Sequence, residues 1–125
     1  MFKRLEAAAP YILSITRMFL GILLACHGAQ KVLGAFGGVP AAAPPFIIWI
    51  AGPIELVGGA LLTLGLFTRP VAFLVSGLMA FAYFLGHAHR GFWPILNGGE
   101  LAIIYCWIAL FISASGPGAW ALQKR

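Results

Sequence analysis

Phe46-Ile47-Ile48-Trp49-Ile50-Ala51-Gly52-Pro53-Ile54-Glu55-Leu56-Val57-Gly58-Gly59-Ala60-Leu61-Leu62-Thr63-Leu64-Gly65-Leu66-Phe67 contains a single ionisable side chain, Glu55. As a helix rising 1.5 Å per residue, a run of this length spans about 33 Å, enough to cross about 30 Å of hydrocarbon. In lipid the backbone must satisfy its own hydrogen bonds, so a stretch this long and apolar is expected to be a membrane-crossing helix. The carboxylate in its middle costs on the order of 2.5–3.5 kcal/mol to insert and therefore needs a reason.

Three further apolar runs flank this one, at 11–33, 70–88 and 99–115. Gly34-Ala35-Phe36-Gly37-Gly38-Val39-Pro40 and Pro44-Pro45 separate the first two spans. Thr68-Arg69-Pro70 makes a short turn, and Gly91-Phe92-Trp93-Pro94 with Asn97-Gly98-Gly99 precedes the last span. Hydrophobic residues make up 62% of the 125-residue chain and charged residues only 9%, with mean hydropathy +0.97. A soluble domain cannot bury that apolar excess. The expected fold is all-α: one integral membrane domain over residues 1–125, a four-helix bundle with the lipid bilayer as its solvent. The net charge of +5 does not indicate nucleic-acid binding, because the basic residues are few and sit mostly at the ends of apolar runs, where they face anionic headgroups.

Lys3, Arg4, Arg69, Lys124 and Arg125 fall on one side of this topology, Lys31 and Arg90 on the other. The positive-inside rule then puts both termini in the cytoplasm. Leu23-Leu24-Ala25-Cys26 resembles a lipoprotein cleavage box, but Arg17 interrupts the apolar region before it, and an uncleaved first span is expected. Gly21, Ala25 and Ala29 on the first span, and Ala51, Glu55 and Gly59 on the second, recur every four residues and predict close helix packing. Pro53 is expected to loosen the backbone beside Glu55. Arg17 reads as structural, snorkelling inward or pairing with an acid.

Most of the remaining polar chemistry converges on the outer end. His27 and Lys31 lie four apart on one face of the first span. His87, His89 and Arg90 end the third, Glu100 opens the fourth, and Glu55 lies roughly 13 Å below the outer surface. Tyr83, Trp93 and Asn97 belong to the same half. Acid, base and aromatic groups at one mouth make a small-molecule pocket, in which His27 and Glu55 are the expected proton-handling, catalytic pair. Lys31, Gln30, Tyr83, His87, His89, Arg90, Trp93, Asn97 and Glu100 are the expected substrate-binding residues. Plainer readings stand beside these. Lys31, Arg90 and Trp93 also suit interfacial anchoring, and Glu100 suits the start of a helix. His87-Ala88-His89 alone is too little for a metal site, so none is expected. Cys26 and Cys106 have no metal or redox spacing. A faint repeat, a span ending in His followed by a span bearing Glu, relates the two halves.

The ordered set of Arg17 with Leu20-Gly21, then His27-Gly28-Ala29-Gln30-Lys31-Val32, Glu55-Leu56-Val57-Gly58-Gly59-Ala60-Leu61-Leu62, Leu64-Gly65-Leu66-Phe67-Thr68-Arg69, Asn97-Gly98-Gly99-Glu100-Leu101-Ala102, Tyr105 and Gly116-Pro117-Gly118 resembles the DoxX family of small bacterial membrane proteins. The resemblance covers roughly residues 14–122. It implies a four-helix inner-membrane protein linked to quinone and redox chemistry, some members being similar to a membrane subunit of thiosulfate:quinone oxidoreductase. The resulting expectation is a component of a redox system that binds a quinone or quinol at the outer mouth, with a membrane or periplasmic redox partner and self-association as partner expectations. No other cofactor is indicated, and whether the chain is itself an enzyme is left open. The alternatives are a non-catalytic accessory or assembly subunit and an oligomeric small-molecule transporter.

Overall fold

The computed structural model describes residues 1–124, and those residues contain helices and no strands. Helix α1 covers Phe2–Val32. A glycine-rich loop leads to a π-helical turn, Ile47–Ala51, that runs directly into α2, Gly52–Leu64. Helix α3 covers Thr68–Gly86, α4 is the single turn Pro94–Asn97, and α5 covers Glu100–Ser115. Three segments are long and apolar enough to cross a membrane: Phe2–Val32, Ile47–Leu64 and Thr68–Arg90. Helix α5 is equally apolar but shorter, rising about 24 Å.

The expected boundaries shift in explicable ways. Helix α1 starts at Phe2 rather than near residue 11, because Lys3, Arg4 and Glu6 are good helix formers although they are not apolar. Pro10 sits inside it, and its carbonyl accepts from Ala119 N–H at 3.1 Å. Helix α2 ends at Leu64 rather than 67, because Gly65 takes the left-handed conformation (φ 73°) that closes a helix. The π-turn stands just before Pro53, whose missing N–H and bulky ring disturb the regular ladder. The loosening expected there thus appears as an extra residue in the turn leading to Glu55.

Helices α1 and α2 pack antiparallel, backbone against backbone. A Cβ added at Gly21 would lie 2.6 Å from Gly59 O, and one at Gly59 would lie 2.5 Å from Ala25 N. One at Gly28 would collide with the Leu56 backbone, and one at Gly52 would lie 2.8 Å from Val32 Cγ2. The small-residue stripe therefore does what its spacing suggested, with Gly28 rather than Ala29 at the upper contact. Helices α3 and α5 form the second close pair, joined by Ser76 Oγ donating to Cys106 O at 2.8 Å. Leu24, Leu62, Val75, Ala109 and Ile112 fill the centre. Phe19, Phe73, Phe84 and Trp107 point outward, while Ser14, Arg17, Glu55, Thr68, Ser76 and Asn97 are buried. An apolar outside around a partly polar inside is what lipid as solvent requires.

At the end carrying the termini, Arg17 is fully buried, but it neither snorkels nor pairs with an acid. Its Nε donates to Leu62 O at 2.8 Å, Nη2 to Trp120 O at 2.7 Å, and Nη1 to Pro117 O. A rigid fork of five donors is matched to carbonyls of two segments. One carbonyl belongs to the last turn of α2, where a cation suits the helix dipole. Ser14 Oγ also donates to Pro117 O at 3.0 Å and accepts from Trp120 N. Together these fasten the tail after α5 across α1 and α2.

Candidate functional site

The α1–α2 register decides the geometry at the other end. The close approach of Gly28 to Leu56 and of Gly52 to Lys31 leaves Lys31 and Glu55 facing one another across the helix pair. Lys31 Nζ donates to Glu55 Oε2 at 2.5 Å, with the glutamate side chain 5% exposed and the lysine 17%. A lone carboxylate here would be strongly unfavourable. The ion pair, short and inside one helix interface, offsets its desolvation.

His27, one turn below Lys31 on α1, meets the ring of Tyr105 on α5 edge to face, centroids 6.2 Å apart. His87, just past the end of α3, completes the wall. Its Nδ1 is 3.1 Å from Asn97 O. A carbonyl only accepts, so Nδ1 carries the proton, and in the neutral ring Nε2 is the acceptor. Together His27, Lys31, Glu55, His87 and Tyr105 line a cavity of about 230 Å³. Met79 and Ala102 line both this cavity and a groove of about 340 Å³ between α3 and α5, where Tyr83, Phe84, Cys106 and Trp107 supply mainly apolar walls. A ring-sized hollow with five polar side chains in its wall therefore lies beside an apolar groove between α3 and α5. It offers a cation, a carboxylate, two imidazoles and a phenol to one small molecule.

Of the residues expected at the mouth, His27, Glu55, Lys31 and His87 come together here. Tyr83 lines the adjoining groove, stacked on His87 with centroids 6.5 Å apart. Asn97 is buried but serves the loop. Its amide donates to Tyr83 Oη at 3.1 Å and Gly91 O at 3.0 Å, and its oxygen accepts from Gly99 N at 2.8 Å. Gln30 faces a separate shallow hollow with Leu23, Cys26, His27 and Phe36. His89, Arg90, Trp93 and Glu100 are exposed and lie outside the cavity lining. The two histidines of His87-Ala88-His89 thus part company, and among the described residues no three His, Cys, Asp or Glu side chains gather to hold a metal ion. Tyr105 is the site residue that sequence reasoning missed. Its signal was a hydroxyl within an apolar helix, four residues after Leu101 and three after Ala102, which places all three on one face.

The DoxX sequence model matches residues 12–88, which take in most of α1, all of α2 and α3, and His87. An uncharacterized protein of Haemophilus influenzae is 44% identical over 130 residues, covering 98% of this chain and 96% of its own length. An uncharacterized membrane protein of Mycobacterium tuberculosis is 28% identical over 142 residues, covering 98% of this chain and 86% of its own. No solved structure matches the chain.

Proposed function

The chain belongs to the DoxX family, and from that premise we propose that it is a component of a bacterial inner-membrane redox system that binds the head of a quinone or quinol in the cavity at Lys31–Glu55. In this reading residues 1–125 form one domain, all four long apolar helices cross the bilayer as a bundle, and both termini lie in the cytoplasm. The lysine and arginine balance supports that orientation. The turn Pro94–Asn97 makes up the depth that the 16-residue α5 does not cover. A redox partner in the membrane or periplasm exchanges the electrons.

The observation that carries the proposal is the adjacency of the two spaces, which have Met79 and Ala102 in common in their walls. A chamber of about 230 Å³ accommodates one ring, and the groove beyond Met79 and Ala102 accommodates an apolar tail at the lipid surface. Quinone chemistry couples two electrons to two protons. What this chain supplies is the proton side and the orientation. Lys31 donates to a ring oxygen. His27 and Glu55 accept or return a proton beside it. The Tyr105 hydroxyl offers a further hydrogen bond, and Nδ1-protonated His87 presents Nε2.

Mass spectrometry of an organic extract tests this, using protein purified in mild detergent alongside His27→Ala, Glu55→Gln and Ala102→Trp. The expected result is near-stoichiometric quinone in the wild type and its loss in all three, the last because tryptophan at a wall common to both spaces fills them. Folded wild-type protein that takes up no quinone from quinone-loaded liposomes would defeat the reading. A purely scaffolding subunit, by contrast, tolerates Glu55→Gln with its partner binding intact.

A further inference from the structure

A second cleft, of about 630 Å³, lies at the end of the molecule opposite the Lys31–Glu55 cavity. One face of α1, including Ala9, Leu13 and Thr16 at three-to-four spacing, forms one wall, and Phe111 of α5 stands across from it. Helices α1 and α5 touch sparingly compared with α1 and α2, which leaves a trough between them. The small side chain of Ala9 keeps it open.

Two cations stand at its rim, Arg69 and Lys124, and among the described residues no carboxylate lines it. Both are exposed, yet held in place. Arg69 Nη1 donates to Ser113 O at 3.0 Å and Ala114 O at 2.5 Å, and Lys124 Nζ donates to Ala119 O at 2.9 Å. An ammonium has three donors and a guanidinium five, so each retains donors beyond those it uses on the protein. The same two side chains also border a smaller hollow with Phe67 and Gln123, so the positive rim is shared by both openings.

We infer that this cleft is a binding site for an anionic phospholipid, with one acyl chain in the trough along Ala9, Leu13 and Phe111 and the phosphate held between Arg69 and Lys124. An apolar trough that ends in fixed cations matches an amphiphile carrying net negative charge at its head, and a zwitterionic lipid brings the same phosphate with an ammonium beside it that the two cations repel. The site is independent of the quinone reading, because it shares no lining residue with the other cavity.

Native mass spectrometry in detergent, titrating phosphatidylglycerol against phosphatidylcholine of the same chain length, tests the inference. Phosphatidylglycerol is expected to bind more tightly. Lys124→Gln, on an exposed tail residue, weakens it about fivefold and weakens phosphatidylcholine less, narrowing the preference. Ala9→Phe fills the trough without altering charge and abolishes the adduct. Equal binding of the two lipids, or full phosphatidylglycerol binding by Ala9→Phe, would overturn the proposal. So would displacement of the lipid by millimolar inorganic phosphate, which would indicate an anion site without a trough. A dimer that sheds lipid on forming would assign this face to a second copy of the chain.

Discussion

At the scale of single residues, the molecule holds two charged groups away from water by different means. Glu55 is matched by one opposite charge, Arg17 by three neutral carbonyls. The consequences of mutation differ accordingly. Removing one member of a buried ion pair leaves the other uncompensated, at a cost of about 3–5 kcal/mol, whereas replacing both with apolar residues is often neutral or stabilising. Lys31→Met is therefore expected to destabilise the protein strongly, and Lys31→Met with Glu55→Leu to recover most of that loss, as read by equilibrium unfolding in mixed micelles. The double variant should still fail to bind quinone, which separates stability from function. Arg17→Lys keeps the charge but not the planar fork. It is expected to lose about 3 kcal/mol and to speed amide exchange at Ala119 and Leu122, whose N–H groups bond to Pro10 O and Leu64 O. Unchanged exchange in the tail would show that Arg17 does not hold it.

At the scale of elements, the α1–α2 pair depends on the absence of side chains. Gly59→Leu would place a side chain in the backbone of Ala25, at a cost of about 3 kcal/mol or more, and would separate Lys31 from Glu55 at the far end of the same interface. Gly77 provides the matched control, since an added Cβ there meets nothing within 4 Å and faces outward. Gly77→Leu is expected to leave the melting temperature unchanged or raise it, by thermal denaturation in detergent, because leucine favours the helix more than glycine does. The stripe was readable from sequence because close packing in lipid selects small residues at fixed spacing. What the sequence did not show was which glycine carries the upper contact, since Gly28 and Ala29 differ by one position and only the crossing geometry chooses between them. The π-turn before Pro53 was legible as a disturbance but not in form.

For the whole molecule, the family and the helical apolar segments were legible in the sequence because hydropathy and ordered motifs persist over long stretches. The convergence of His27, Lys31, Glu55 and His87 was also legible, because their depths follow from helical rise alone. Rotation about each helix axis was not. Depth placed Arg90, Trp93 and Glu100 at the mouth, but the turn Pro94–Asn97, organised by buried Asn97, leaves them exposed. Tyr105 escaped notice for the converse reason, since its span shows a face shared with Leu101 and Ala102 but not that this face turns toward His27. The proposed topology predicts that a cysteine in place of Arg90, in a background lacking Cys26 and Cys106, is labelled by a membrane-impermeant maleimide in intact cells, and that one in place of Lys3 is labelled only after lysis. The reverse pattern would invert the orientation.

The arrangement around Arg17 also bears on how the protein is made. Its partners at Pro117 and Trp120 lie 100 and 103 residues further along the chain. At roughly 5–20 residues per second of synthesis, the arginine enters the membrane about 5–20 s before those carbonyls exist. Until then Leu62 O alone among its three acceptors can be in place, and the first span carries a cation whose donors are mostly unmatched. A chain interrupted before Pro117 never completes that set. The segment after α5 thereby acts as a late lock on the first span, and ribosome stalling before codon 117 should yield products cleared faster than chains that extend past Trp120.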